Sequence, residues 1–175
     1  MPDPIDPLKR PNDNEALLSL LTAAGVKYVI VGGLAAILQG STLPTEDLDV
    51  CAPMDEDNLL KIANAFERIR PRFRTNPVLP PLPTERARLR GFKNLYLVTD
   101  LGRIDVLGEI TGVGDYDAVS RHVETLKVAG APTKVLDLDT LIAAKRAAGR
   151  PKDRLAVMHL EAVKKDRQDH PDNAS

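Results

Sequence analysis

The chain has 175 residues, 43% of them apolar and 28% charged. Its 24 basic and 25 acidic side chains leave a formal net charge of −1. This is the profile of an ordinary globular domain. It carries no strongly basic field to advertise a nucleic-acid partner, although a local patch stays open. One cysteine, Cys51, excludes an intramolecular disulfide and fits a reducing, cytoplasmic setting.

No stretch approaches the roughly 18 apolar residues of a membrane span. The first residues lack the basic start and apolar run of a secretory signal. Aromatic residues make up 3% and tryptophan is absent, so extensive stacking platforms for single-stranded nucleic acid are not expected. The length suits one domain that closes its own core.

Residues 1–13, with four prolines, read as a flexible arm ahead of a domain spanning 14–165. Asn12 to Asn14 offer caps for a helix over 15–24, stopped by Gly25. Residues 26–31 are β-branched and aromatic and predict a buried strand, broken by Gly32-Gly33. A short helix over 34–38 follows. A polar turn leads to a strand over 47–52 whose alternation gives it one buried face. Asp55 caps a helix predicted over 55–70, with Leu59, Ile62, Ala63 and Phe66 on one side and Pro71 at its end.

The proline-rich stretch 76–83 reads as an extended connector. Strands are predicted at 95–99 and 103–107 around a tight Asp100-Leu101-Gly102 turn, then a glycine-rich loop over 108–114. A helical turn over 116–121 precedes short strands at 123–128 and 133–136. Asp137 or Asp139 caps a helix over 140–148 that ends at Gly149, and Pro151 opens a last helix over 152–165. Residues 166–175 read as a flexible tail. This order of elements predicts an α/β fold whose mixed sheet is flanked by helices, with a short C-terminal helical region.

The informative constellation is Gly32-Gly33 after a buried strand, with Asp47-Leu48-Asp49 beginning after thirteen intervening residues. Aspartates at i and i+2 of a strand share one side, with Cα atoms roughly 7 Å apart. Held together, they raise each other's proton affinity unless a cation compensates. Paired carboxylates are hard oxygen ligands suited to Mg²⁺. Glycines at a strand end let backbone N–H groups approach a polyphosphate. Arg103, Asp105 and Leu107 alternate with Ile104 and Val106, which puts Asp105 on the polar side of its strand. The scattered histidines His122, His159 and His170 show no metal-ligand spacing, and Cys51 reads as a packed thiol.

Gly32-Gly33 and Asp47-Leu48-Asp49 resemble the signature of the nucleotidyltransferase superfamily related to DNA polymerase beta. The stretches 28–40 and 45–50 are similar to its small bacterial branch, which includes AbiEii-type toxins. Residues 100–109 resemble the family segment bearing a third carboxylate, and 141–153 its helical motif. The resemblance implies a nucleotidyltransferase-like fold and an enzyme that moves an NMP from an NTP to an acceptor hydroxyl. It implies Asp47, Asp49 and Asp105 as catalytic carboxylates holding Mg²⁺. Gly32, Gly33 and Lys145 would bind the nucleotide. Arg146, Arg150 and Asp153 match the motif without an assigned role, and Ala156 stands where relatives often carry another acidic residue.

The acceptor implied is a tRNA end or a protein side chain, as for the toxin of a toxin–antitoxin pair with a cognate antitoxin protein as partner. Two alternatives stay open. One is a small-molecule, antibiotic-type nucleotidyltransferase, although little chain after Asp105 remains to build a drug pocket. The other is a non-catalytic member of the fold that binds nucleotide or protein. No membrane partner is expected.

Overall fold

The computed structural model describes residues 6–171. The buried run read at 26–31 contracts to strand β1, Val29–Val31, with all three side chains inside. β1 pairs antiparallel with β2, Leu48–Cys51, which in turn lies parallel to β5, Gly102–Leu107. On the far side of β5, β4 (Asn94–Thr99) closes a hairpin whose register couples Thr99 with Gly102. The edge strand β3, Arg72–Phe73, completes that wing. On the other flank β1 runs parallel to β9, Ala131–Leu136, and β9 pairs antiparallel with β8, Val123–Val128. The sheet is seven-stranded in the order β3-β4-β5-β2-β1-β9-β8. Its mixture of parallel and antiparallel pairs is the one the element order predicts. A separate ladder of β6 (Glu109–Ile110) and β7 (Gly114–Asp115) bounds the glycine-rich loop.

Helices cover the sheet. Helix α1, Asn14–Ala23, is capped by Asp13, whose side chain accepts from the Ala16 amide at 3.0 Å. Helix α3, Glu56–Phe66, is capped by Asp55 as expected. It stops four residues before the predicted end, because Glu67–Ile69 tightens into a 3₁₀ turn and Arg70 adopts a left-handed φ of 53°. Leu17, Leu21, Leu59, Ile62 and Phe66 pack without solvent exposure in one core with Leu48, Leu95, Leu97 and Ile104 from the strands. A one-turn helix α4, Arg86–Leu89, follows the proline-rich connector, and α5, Tyr116–Val119, occupies the predicted helical turn.

Two boundaries differ in a way that bears on function. The Gly-Gly pair does not break the chain after β1; it opens helix α2, Gly32–Leu38. The C-terminal pair comprises α6 (Leu138–Ala148), capped by Asp137, and α7 (Pro151–Asp169). α7 continues past the predicted end at residue 165, so 166–169 are helical rather than a flexible tail. Arg167 donates to the Gln39 carbonyl at 2.9 Å and to its side-chain Oε1 at 3.0 Å, which ties the last turn to the end of α2.

The N-terminal arm also differs from expectation where it is described. Asn12 donates to the Arg103 carbonyl and accepts from the Arg103 amide, both at 2.7 Å, in the manner of an added strand residue. Arg10 donates to the Asp100 carbonyl at 2.7 Å. Residues 10–13 are therefore bound along the β4–β5 turn. The remainder of the predicted arm and tail, residues 1–5 and 172–175, lies outside the described residues. Among the described residues, no helix is long and apolar enough to cross a membrane.

Candidate active site

The strand register brings the predicted carboxylates together. β2 and β5 pair so that Asp49 lies directly beside Asp105, with Leu48 and Val50 opposite Ile104 and Val106. Each of those four apolar side chains is buried to within 1%. The core thus fixes the strands, and the pleat turns the aspartates to the other face. Asp47 sits just ahead of β2 rather than within it. All three line one cleft of about 1020 Å³ with Gly32, Gly33 and Lys145. The six residues singled out in the sequence therefore converge on one site.

Gly32 is required by contact as well as by conformation. Its φ is +63°, and a Cβ there would lie 2.8 Å from the Asp49 Cβ. A Cβ on Gly33 would lie 2.7 Å from the Thr45 Cβ. The start of α2 is thereby pressed against the carboxylate strand. Val31, its N-cap residue, supplies no side-chain acceptor, so no side chain caps the helix's first amides.

Charge at this wall is unbalanced. Burial, with the neighbouring Asp105 and Asp47 charges, pushes the Asp49 carboxyl up to about 6, against the pull of Lys145 and Lys152. Burial also raises Asp105, although Arg74 opposes it. Arg74 Nη2 lies 2.7 Å from both Asp105 carboxylate oxygens and 3.8 Å from Asp47 Oδ2. Arg103 Nε lies 2.7 Å from Asp47 Oδ1, yet neither atom makes a hydrogen bond of acceptable direction. That contact is ionic and not a formed bond. The orphaned buried side-chain atoms among the described residues are Asp47 Oδ1, Arg74 Nε, Arg103 Nε and Arg10 Nε. The first three belong to this one cluster. Native interiors satisfy such atoms, so their concentration here marks a place arranged for something besides the fold.

The donor set is carboxylate oxygen throughout, as a hard divalent cation requires, and Asp47 Oδ1 is held by charge without a hydrogen bond. Among the described residues no group of three or more His, Cys, Asp or Glu side chains is closed to metal-holding spacing. Two guanidinium groups stand among these carboxylates instead. Asp47, Asp49 and Asp105 fit a cation in chemistry and placement, and holding one requires the arginines to yield.

Also in the lining of the cleft, Lys145 on α6 faces Asp153 on α7 at 3.4 Å. Asp153 is fully buried and also accepts from the Arg150 Nε at 2.6 Å and the Arg150 amide at 3.2 Å. Burial alone would raise this carboxyl, but the bonds from Arg150 and the Lys145 charge hold it below its ordinary value. Asp153 acts as a structural clamp that caps α7 and holds Lys145. Arg146 instead pairs with Glu161 on the exposed side of the helix pair. Cys51 is buried and its thiol is pushed up to about 12, mainly by burial, so it is packing and not a nucleophile.

Sequence reasoning missed Arg74 and the part played by Arg103. Arg74 follows a two-residue edge strand, and nothing in local spacing links it to Asp105. Arg103 stood in the alternating run with Asp105, which was signal enough to place it on the same face.

No family model matches the sequence, and no curated protein matches it. Solved structures do. The fold is similar to that of a lincosamide antibiotic adenylyltransferase, LnuA, solved with lincomycin bound, at 14% identity. That likeness has a TM-score of 0.58 and covers 88% of this chain and 99% of that one. It is also similar to an antigenic nucleotidyltransferase-like protein from Paracoccidioides brasiliensis, at 16% identity and a TM-score of 0.50, over 93% and 91% of the two chains. The chain thus has a nucleotidyltransferase-like fold: a seven-stranded mixed sheet, flanking helices and a C-terminal helix pair.

Proposed function

We propose that the protein is a nucleotidyltransferase that moves a nucleoside monophosphate from an NTP to an acceptor hydroxyl. The observation that carries this reading is the registered pair Asp49 and Asp105, with Asp47 beside them, at the foot of a glycine-opened helix in a cleft. Asp47, Asp49 and Asp105 would hold Mg²⁺, which supplies charge neutralisation at the transferring phosphoryl group and a lowered acceptor pKa. Gly32 and Gly33 would leave the backbone of α2 open to the phosphates, and Lys145 would add a cation from the same cleft. Asp105 would help take the acceptor proton as the acceptor oxygen bonds to the α-phosphorus. Pyrophosphate then leaves with the electrons of the bond to its bridging oxygen.

For the acceptor, the resemblance to AbiEii-type proteins supports a tRNA end or a protein side chain, within a toxin–antitoxin pair. A small-molecule acceptor is the second reading. The fold likeness runs over 99% of an antibiotic adenylyltransferase, which removes the objection that a chain this short lacks room for such an acceptor.

The test is purified protein with Mg²⁺ and each labelled NTP, offered total tRNA, cell lysate and a panel of hydroxylated antibiotics in separate reactions. Label should enter one acceptor class and disappear in Asp47→Ala and Asp49→Ala. Equal labelling by the wild type and both variants would sink the assignment of the site.

A further inference from the structure

Arg74 holds the carboxylates in an incomplete way. A single nitrogen, Nη2, serves both oxygens of Asp105 and lies 3.8 Å from Asp47, while the Nε is buried without a partner. A guanidinium has five donors in a planar fork, and a bidentate anion would use it better than this one-nitrogen contact does. The grip on Asp105 thus rests on one nitrogen's two hydrogen bonds, reinforced by charge.

The two arginines of the cluster differ in what else they can hold. Arg103 has a partner outside the three aspartates, since its Nη2 lies 3.1 Å from Glu46 Oε2. Among the described residues Arg74 pairs only with Asp105 and Asp47. It can therefore leave Asp105 without loss only when another anion enters the cleft. Its backbone is fixed, because its amide donates to the Tyr96 carbonyl at 3.0 Å. Its guanidinium carbon lies 5.6 Å from the centre of the Tyr96 ring, and Tyr96 is the register partner of Asp105 and lines the cleft. A pivot about that anchor keeps the charge at the cleft.

We propose that Arg74 is the residue that couples cation binding to nucleotide binding, by exchanging the carboxylates Asp105 and Asp47 for the phosphates of the incoming nucleotide. This rests on the reading of the three aspartates as the cation site. With the cleft empty of nucleotide, the guanidinium occupies the oxygens a cation needs and repels it. When a triphosphate arrives, the same group gains a bidentate partner and frees Asp105. Each ligand thereby favours the other, as linkage requires.

The experiment measures two affinities separately in the full-length protein, Mn²⁺ alone by electron paramagnetic resonance and an α,β-methylene NTP analogue in EDTA. Arg74→Gln should bind Mn²⁺ about tenfold more tightly than wild type and the metal-free analogue several-fold more weakly. Changes of opposite sign are not what a merely structural residue produces. Arg74→Lys, which keeps the charge, should retain wild-type Mn²⁺ affinity, and thermal midpoints check that both variants fold. Unchanged or weaker Mn²⁺ binding in Arg74→Gln overturns the proposal. So does tighter Mn²⁺ binding with unchanged analogue binding, which would make Arg74 a plug and not a coupler. Asp49→Asn separates the underlying reading: Mn²⁺ binding that survives this change shows that the cation sits elsewhere, and both readings then fall.

Discussion

Asp49 and Asp153 stand in the same cleft, both drawn out of water, and their carboxyls are shifted in opposite directions. Asp153 collects the Arg150 amide, the Arg150 guanidinium and Lys145, and is held ionised. Asp49 has two carboxylates for neighbours, and its own carboxyl is raised to about 6. The first arrangement makes its burial useful to the fold. The second leaves a cost that folding alone does not recover. A buried carboxylate with complete partners reads as architecture, and one kept among like charges reads as a site waiting for a counter-charge.

The sharpest way to break this contrast is Asp49→Asn. Transfer should fall by at least about a thousandfold, since a neutral amide no longer helps hold the cation. Stability should move the other way, rising by about 1–3 kcal/mol at pH 7. The sign follows from proton counts. The folded Asp49 titrates near 6 against 3.8 for the ordinary group, so between those values the folded state holds more protons. Wild-type stability therefore falls as pH rises through that window, and the advantage of Asp49→Asn is absent below about pH 4 and complete above about pH 6. Denaturant titrations of both proteins across this range check it. A destabilised Asp49→Asn at pH 7 would make Asp49 another structural carboxylate.

Asp153→Ala is the reverse experiment. It strips the amide cap of α7 and leaves Lys145, which is only 16% exposed, without its carboxylate. A loss of about 2–4 kcal/mol is expected at neutral pH, discounted for the more exposed Arg150. Because the folded Asp153 lies below its ordinary value, its contribution is present at neutral pH and is lost only as acid titrates the folded carboxyl. Equilibrium unfolding at pH 7 and again under strongly acidic conditions should show the difference between wild type and variant shrink with acid.

How much of this was readable in advance depended on whether the cause was local. The alternation Ile104, Asp105, Val106 announces a strand with one wet face, and the structure keeps it. The pairing of Asp49 with Asp105 was legible only as two strands of matching pattern, because register is set by the whole sheet. Gly32 was legible as a strand break that bares backbone amides, but the contact that demands a glycine is Asp49, seventeen residues away, and its position is the first of a helix. Arg74 was not legible at all. It reaches Asp105 because an edge strand of two residues pairs with β4, and so short a strand leaves no periodicity to read. The tether of Asn12 to Arg103 was hidden for the same reason: polar residues among prolines look flexible until a sheet edge accepts them.

The smallest expected effect tests which side of the contrast Lys145 belongs to. It is paired with the structural Asp153 but opens on the cleft that holds Asp49, and it pulls the Asp49 carboxyl down. If the clamp exists to present a charge to the nucleotide, Lys145→Gln should raise the KM for NTP about tenfold with little change in kcat. Stability should fall less than in Asp153→Ala, because Asp153 keeps its bonds to Arg150 and the amide cap of α7 survives. Steady-state kinetics with the labelled NTP, read beside an unfolding curve, separates the two roles. An unchanged KM with lowered stability would assign Lys145 wholly to the clamp, and the phosphates would then be left to the backbone of α2, to Arg74 beside the carboxylates, and to the cleft-lining Arg150 and Lys152.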